Sequence, residues 1–111
     1  MTEVRFYEAD KKMYMEVKGH SNYITNNPHD PVCAACSILA YALLNTLMSA
    51  TNSLCYEEEE TEGYFKVEVD MEKVDDKKAI RHFFYMAYKG YKTLEQNYPD
   101  NVNVIERPTE A

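Results

Sequence analysis

Two short stretches of this chain carry residue types suited to covalent chemistry: Gly19-His20, and Asp30-Pro31-Val32-Cys33. Aspartate can cap the bare N–H groups of a first helical turn, and proline suits the first helical position because it has no N–H to leave unsatisfied. Cys33 then falls in the first turn of a helix. There the helix end favours thiolate over thiol, and the same N–H groups could hold the oxyanion that forms when a thiolate attacks an amide carbonyl. His20 stands at the expected end of a strand, with a loop leading from it into the helix, which makes it the candidate base. Asp30 is first of all a cap; orienting His20 is a further role open to it.

Simpler readings stand beside this one. A cysteine in an apolar helix is commonly a small buried hydrophobe. Cys36, one turn deeper, is expected to pack, and Cys55 is a strand residue with no histidine near it in sequence. His29 reads as a loop residue, His82 as an exposed or half-buried helix residue, and Tyr85, Tyr88 and Tyr91 as core and rim. His20, His29, Cys33 and Cys36 make a two-histidine, two-cysteine set, yet His-x8-His-x3-Cys-x2-Cys is not a common zinc spacing. Cys33-Ala34-Ala35-Cys36 at a helix start also suggests a thioredoxin-like redox pair, but a nine-residue polar loop stands where such motifs have a strand.

The elements that must position these residues are legible from periodicity. Residues 4–8 and 13–18 alternate apolar and polar, with Ala9-Asp10-Lys11-Lys12 between them, and read as a β-hairpin. The segment Ser21, Asn22, Tyr23, Ile24, Thr25, Asn26, Asn27, Pro28, His29 is rich in turn formers and reads as a surface loop. A helix is predicted from Pro31 to about Ala50, with Val32, Ala35, Ile38, Leu39, Ala42, Leu43 and Leu47 on one wide face; Ala34, Tyr41, Leu44 and Met48 extend that face. The helix is expected to be mostly buried. Residues 54–58 and 64–70 form a second hairpin, with Phe65, Val67 and Val69 on one side.

A second long helix starts near Asp75 or Asp76, carries Ile80, Phe83, Phe84, Ala87, Tyr91, Leu94 and Tyr98 at helical spacing, and ends before Pro99. Residues 102–105 could add an edge strand, and residues 108–111 read as a frayed end. The expected fold class is α+β: a mainly antiparallel sheet of about five strands with two long helices packed on one face, forming one domain over residues 1–111.

Composition narrows the class of partner. With 12 Lys+Arg against 19 Asp+Glu the net charge is −7, so the overall attraction to phosphate that drives nucleic-acid binding is missing. Much of the acidity lies in Glu57, Glu58, Glu59, Glu60 and Glu62, which read as a solvated strand end. No run approaches the ~18 consecutive apolar residues of a membrane-spanning helix, and the N-terminus lacks a signal peptide's apolar core. Three cysteines, two of them close together, fit reduced thiols. A cytoplasmic location without membrane contact is expected.

Gly19-His20, a polar loop, and Asp30-Pro31-Val32-Cys33-Ala34-Ala35-Cys36-Ser37 resemble the signature of the ribosomal-processing cysteine protease (Prp) family: Gly-His, a loop, then Asp-x-Val-Cys-Ala, a small residue and Ser. The resemblance extends to Gly63-Tyr64-Phe65 and to Leu94-Glu95-Gln96-Asn97-Tyr98 at the end of the second helix. It implies a homodimeric cysteine endopeptidase, without metal or organic cofactor, that removes a short N-terminal extension from a large-subunit ribosomal protein. Cys33 and His20 would take the catalytic roles, Asp30 a possible supporting one, and residues 21–29 would close over the peptide. The His-to-Cys segment is one residue longer than is usual in that family, Ser21 stands for its alanine, Pro31 for an apolar residue, and the loop lacks its glycine. A phage-type homologue acting on a capsid or scaffold protein, and a noncatalytic protein-binding module of the same fold, are the alternatives.

Overall fold

The computed structural model describes residues 1–20, 30–61 and 63–106. The loop expected over residues 21–29 and the end expected to fray over residues 108–111 lie outside the described residues. The elements run β1 (Thr2–Ala9), β2 (Lys12–Lys18), α1 (Pro31–Ala50), β3 (Leu54–Glu59), β4 (Tyr64–Asp70), α2 (Lys77–Asn97) and β5 (Val102–Glu106). The strands form one sheet in the order β3-β4-β2-β1-β5. All neighbours are antiparallel except β1 and β5, which pair in parallel, because α2 carries the chain back along the sheet before β5. The α+β class and the mainly antiparallel sheet expected from the sequence are what the chain forms.

Register explains the core. Val4 lies opposite Val17 and Phe6 opposite Met15 across the first hairpin, while Met13, Met15 and Val17 face Val69, Val67 and Phe65 across β2 and β4. Directly opposed residues share a face, so these alternating apolar residues form one continuous layer, and the helices bury it. Asp10 and Lys11, both at positive φ (53° and 65°), make the tight turn that suits the right-handed twist of a hairpin. Asp76 caps α2 by accepting from the Ala79 N–H at 3.0 Å, and Ile80, Phe84, Ala87 and Tyr91 are its buried face. Tyr91, wholly buried, donates its hydroxyl to the Cys36 carbonyl at 2.8 Å and so ties α2 to the opening turns of α1.

The expectation of a mostly buried α1 is corrected. Its buried residues are Val32, Cys36, Ala40, Leu43, Leu44 and Leu47, whereas Ile38 is 68% and Met48 57% exposed, with Ala34, Tyr41 and Ala42 also outward. The helix carries no charged side chain, so nothing in its pattern marks a solvent face. For the same reason it is, by length and composition alone, apolar enough to cross a membrane, contrary to the reading that no segment is. Uncharged polar residues such as Ser37, Asn45 and Thr46 interrupt the apolar run without lowering its hydropathy enough to exclude it. One side of this helix forms part of the core with the sheet and α2.

Candidate active site

The end of β2 at Gly19 meets the turn between β3 and β4 at Gly63, and this close approach builds one wall of the site. The Gly19 N–H donates to the Gly63 carbonyl at 2.7 Å. Both glycines have positive φ (86° and 67°), and a Cβ on Gly63 would lie 3.0 Å from the Gly19 carbonyl and from His20 Cε1. Only glycine admits this conformation and this proximity without strain. The next residue, His20, is exposed, and its Nε2 lies 3.4 Å from the Thr61 carbonyl oxygen. A carbonyl can only accept, so this hydrogen bond requires the proton on Nε2 and leaves the lone pair on Nδ1.

The start of α1 forms the opposite wall. Asp30 caps it, one carboxylate oxygen accepting from the Val32 N–H at 2.9 Å and the Cys33 N–H at 3.0 Å, while the Asp30 carbonyl accepts from the Ala34 N–H at 3.0 Å. Pro31 has no N–H. The first-turn donors are therefore all engaged in this conformation: the residue that starts the helix also occupies its donors. Cys33 is half-buried and Cys36 buried, and both are free thiols. Burial, followed by the nearby Cys33 and Asp30 charges, pushes the Cys36 thiol up to about 12, so it stays protonated near neutrality.

His20 and Cys33 line the same cleft, about 270 Å³ in volume. Thr2, Val17, Cys36, Ala40 and Phe65 also line it, and Tyr41, Tyr64, Glu58, Glu59 and Glu60 complete its walls. The Tyr41 hydroxyl donates to the Glu58 carboxylate, which pushes the phenol up to about 12. No local sequence pattern marks Tyr41 or Glu58–Glu60 as site residues, and Gly63-Tyr64-Phe65 carries only a family likeness; tertiary contact brings them to the cleft. Among the described residues no group of three or more His, Cys, Asp or Glu side chains could hold a metal ion, and His29 lies outside them. Cys55 is exposed on β3 and does not line the cleft.

Solved structures share this architecture. The essential ribosomal-processing protease Prp from S. aureus, in complex with a covalently linked product peptide, is 22% identical, with a TM-score of 0.75 covering 96% of this chain and 100% of that one. The same S. aureus protease in complex with a substrate peptide superposes at a TM-score of 0.75 with 19% identity, covering 96% and 100% of the two chains. A Streptococcus mutans protein gives 0.73 at 22% identity, covering 98% of this chain and 96% of that one. No curated protein matches the chain. Residues 1–103, spanning both walls of the cleft, match the family model of the cysteine protease Prp, and the chain belongs to that family of cysteine proteases.

Proposed function

We propose that this protease is an endopeptidase in which His20 Nδ1 takes the proton of the Cys33 thiol and the thiolate attacks a peptide carbonyl. The observation that carries this reading is the convergence of His20, from the end of β2, and Cys33, from the first turn of α1, on one cleft. The imidazolium returns its proton to the leaving amine, and water then hydrolyses the acyl-enzyme. The oxyanion and the Asp30 carboxylate compete for the Val32 and Cys33 N–H groups, so these become its donors once Asp30 turns away. The substrate is the N-terminal extension of a large-subunit ribosomal protein, met in the cytoplasm. The family and the ribosomal-processing role of its S. aureus relative support that choice.

Thiol reactivity tests the mechanism within one molecule. Under iodoacetamide at neutral pH, with peptide mapping by mass spectrometry, Cys33 is expected to alkylate faster than Cys55, although Cys55 is the more exposed of the two. Exposure alone predicts the reverse order, and finding it would remove the Cys/His mechanism.

The same proposal includes a homodimer, formed through the outer face of α1. Ile38 and Met48 are exposed on α1, and α1 and α2 also line an apolar groove with Leu39, Ala42, Phe83 and Met86; together they offer apolar surface a second copy would cover. Light scattering is expected to give twice the chain mass, and Ile38→Lys with Met48→Lys is expected to halve it. An unchanged mass in that variant would place the interface elsewhere.

A further inference from the structure

Among the described residues β3 ends the sheet, and no strand pairs with its outer side. The Asp70 N–H donates to the Ser53 carbonyl at 3.0 Å, so Ser53 and Asp70 are a hydrogen-bonded pair of the antiparallel ladder. Such pairs alternate. With Cys55 opposite Glu68, Glu57 opposite Lys66 and Glu59 opposite Tyr64, the odd-numbered residues of β3 turn their N–H and C=O groups toward β4. Leu54, Tyr56 and Glu58 turn theirs outward. The other side of β4 agrees: Gly19 donates to Gly63 and Met71 to Lys11, so the odd residues of β4 bond β2 and its even ones bond β3.

No described strand covers this edge, and five of the six β3 residues are exposed. It also leads into the cleft, because Glu58, Glu59 and Glu60 line the same cavity as Cys33 and His20. We infer that the outer edge of β3 is the docking rail for the substrate, an extended basic peptide that adds to the sheet through the backbone groups of Tyr56 and Glu58. This inference rests on the peptidase reading above. A backbone rail holds a peptide extended and fixes its register, and so delivers one carbonyl to Cys33. Side chains alternate along such a strand. Those on the helix side pass Tyr56, which stacks on Phe65 at 6.5 Å between ring centroids, and Glu58, held by Tyr41. Four consecutive glutamates at the cleft end repel acidic peptides and attract lysine or arginine. Charge on an edge also guards against sheet-to-sheet aggregation, but that role does not require the charge to end at the nucleophile.

The probe is a lysine-rich, otherwise apolar hexapeptide chloromethyl ketone, which alkylates a thiolate with loss of chloride; Cys33 labelling is followed by intact mass. Methylating single backbone nitrogens of the probe removes one donor at a time, and the methylated nitrogens that face β3 are expected to slow labelling roughly 3- to 10-fold each. Tyr56→Pro removes an outward N–H while sparing the ladder to β4. It is expected to slow peptide labelling by a similar factor relative to Tyr56→Ala, with the iodoacetamide rate unchanged. Exchanging the probe's lysines for glutamates is expected to slow labelling at least tenfold. Equal rates for parent and methylated probes overturn the rail while leaving the peptidase standing. A change of oligomeric mass in Tyr56→Pro with peptide labelling intact assigns the edge to a second copy and also overturns it. Slow labelling of Cys33 by every reagent, iodoacetamide included, overturns the peptidase reading and the rail together.

Discussion

His20→Ala is expected to lower the rate of peptide hydrolysis about 10²- to 10⁴-fold, the usual contribution of a positioned general base, and Cys33→Ala is expected to abolish hydrolysis. The assay is cleavage of a synthetic peptide spanning a ribosomal-protein N-terminal extension. The loss corresponds to about 3–5 kcal/mol of barrier. Without an imidazole to take its proton, the thiol must lose it to solvent base, so the deficit of His20→Ala should shrink as pH rises. A merely structural His20 would produce a deficit independent of pH. The sequence-distant contact from His20 to the Thr61 carbonyl, 41 residues away, is what makes the ring direction a property of the fold. A variant that keeps wild-type rates would remove His20 from the mechanism.

Gly19→Ala is the second large effect, and it joins stability to activity. The residue sits at φ 86°, and an added Cβ would lie 2.5 Å from the Met1 carbonyl oxygen, a backbone atom that cannot swing aside like a side chain. The left-handed conformation costs an L-residue roughly 1–2 kcal/mol, and forced overpacking about 1–3 more. The urea midpoint should therefore fall by an amount equivalent to roughly 2–5 kcal/mol. Because the Gly19 N–H is the tether to Gly63, the shift that relieves the clash moves His20 relative to Cys33. Hydrolysis should fall even under conditions where the variant is fully folded. Stability within about 0.5 kcal/mol of wild type, the scatter of an ordinary surface change, would show that the β2 end tolerates a side chain.

Both predictions rest on features read in different ways. The start of α1 was legible residue by residue, because capping is settled by neighbours: Asp30, Pro31 and the N–H groups that follow them are adjacent in the chain. The same locality hid its consequence. A cap that satisfies the Val32 and Cys33 N–H groups also withholds them from an oxyanion, and only the hydrogen bonds of Asp30 reveal that the two uses compete. The two hairpins and α2 were legible for a similar reason, since alternation and the three- and four-residue spacing of Ile80, Phe84, Ala87 and Tyr91 are short-range patterns.

The sequence by itself determined where the elements lie to within about two residues at each end, that Cys33 falls in the first turn of a helix, and that His20 follows a strand, because each depends on residues a few positions apart. It could not decide which side of α1 is buried. A helix without charge has no polar stripe to mark its solvent face, so Ile38 and Met48 looked as internal as Leu47 until the sheet and α2 selected a side. Nor could it decide that β5 runs parallel to β1 or that β3 lies at the edge, since strand order is fixed by contacts between distant segments whose local patterns are alike. Tertiary structure alone brought Glu58 to Tyr41 and Gly19 to Gly63, and so turned two well-placed side chains into a cleft. The physical reason is that hydrogen bonds and packing across the sheet depend on the register of whole strands, and no short window of sequence contains that register.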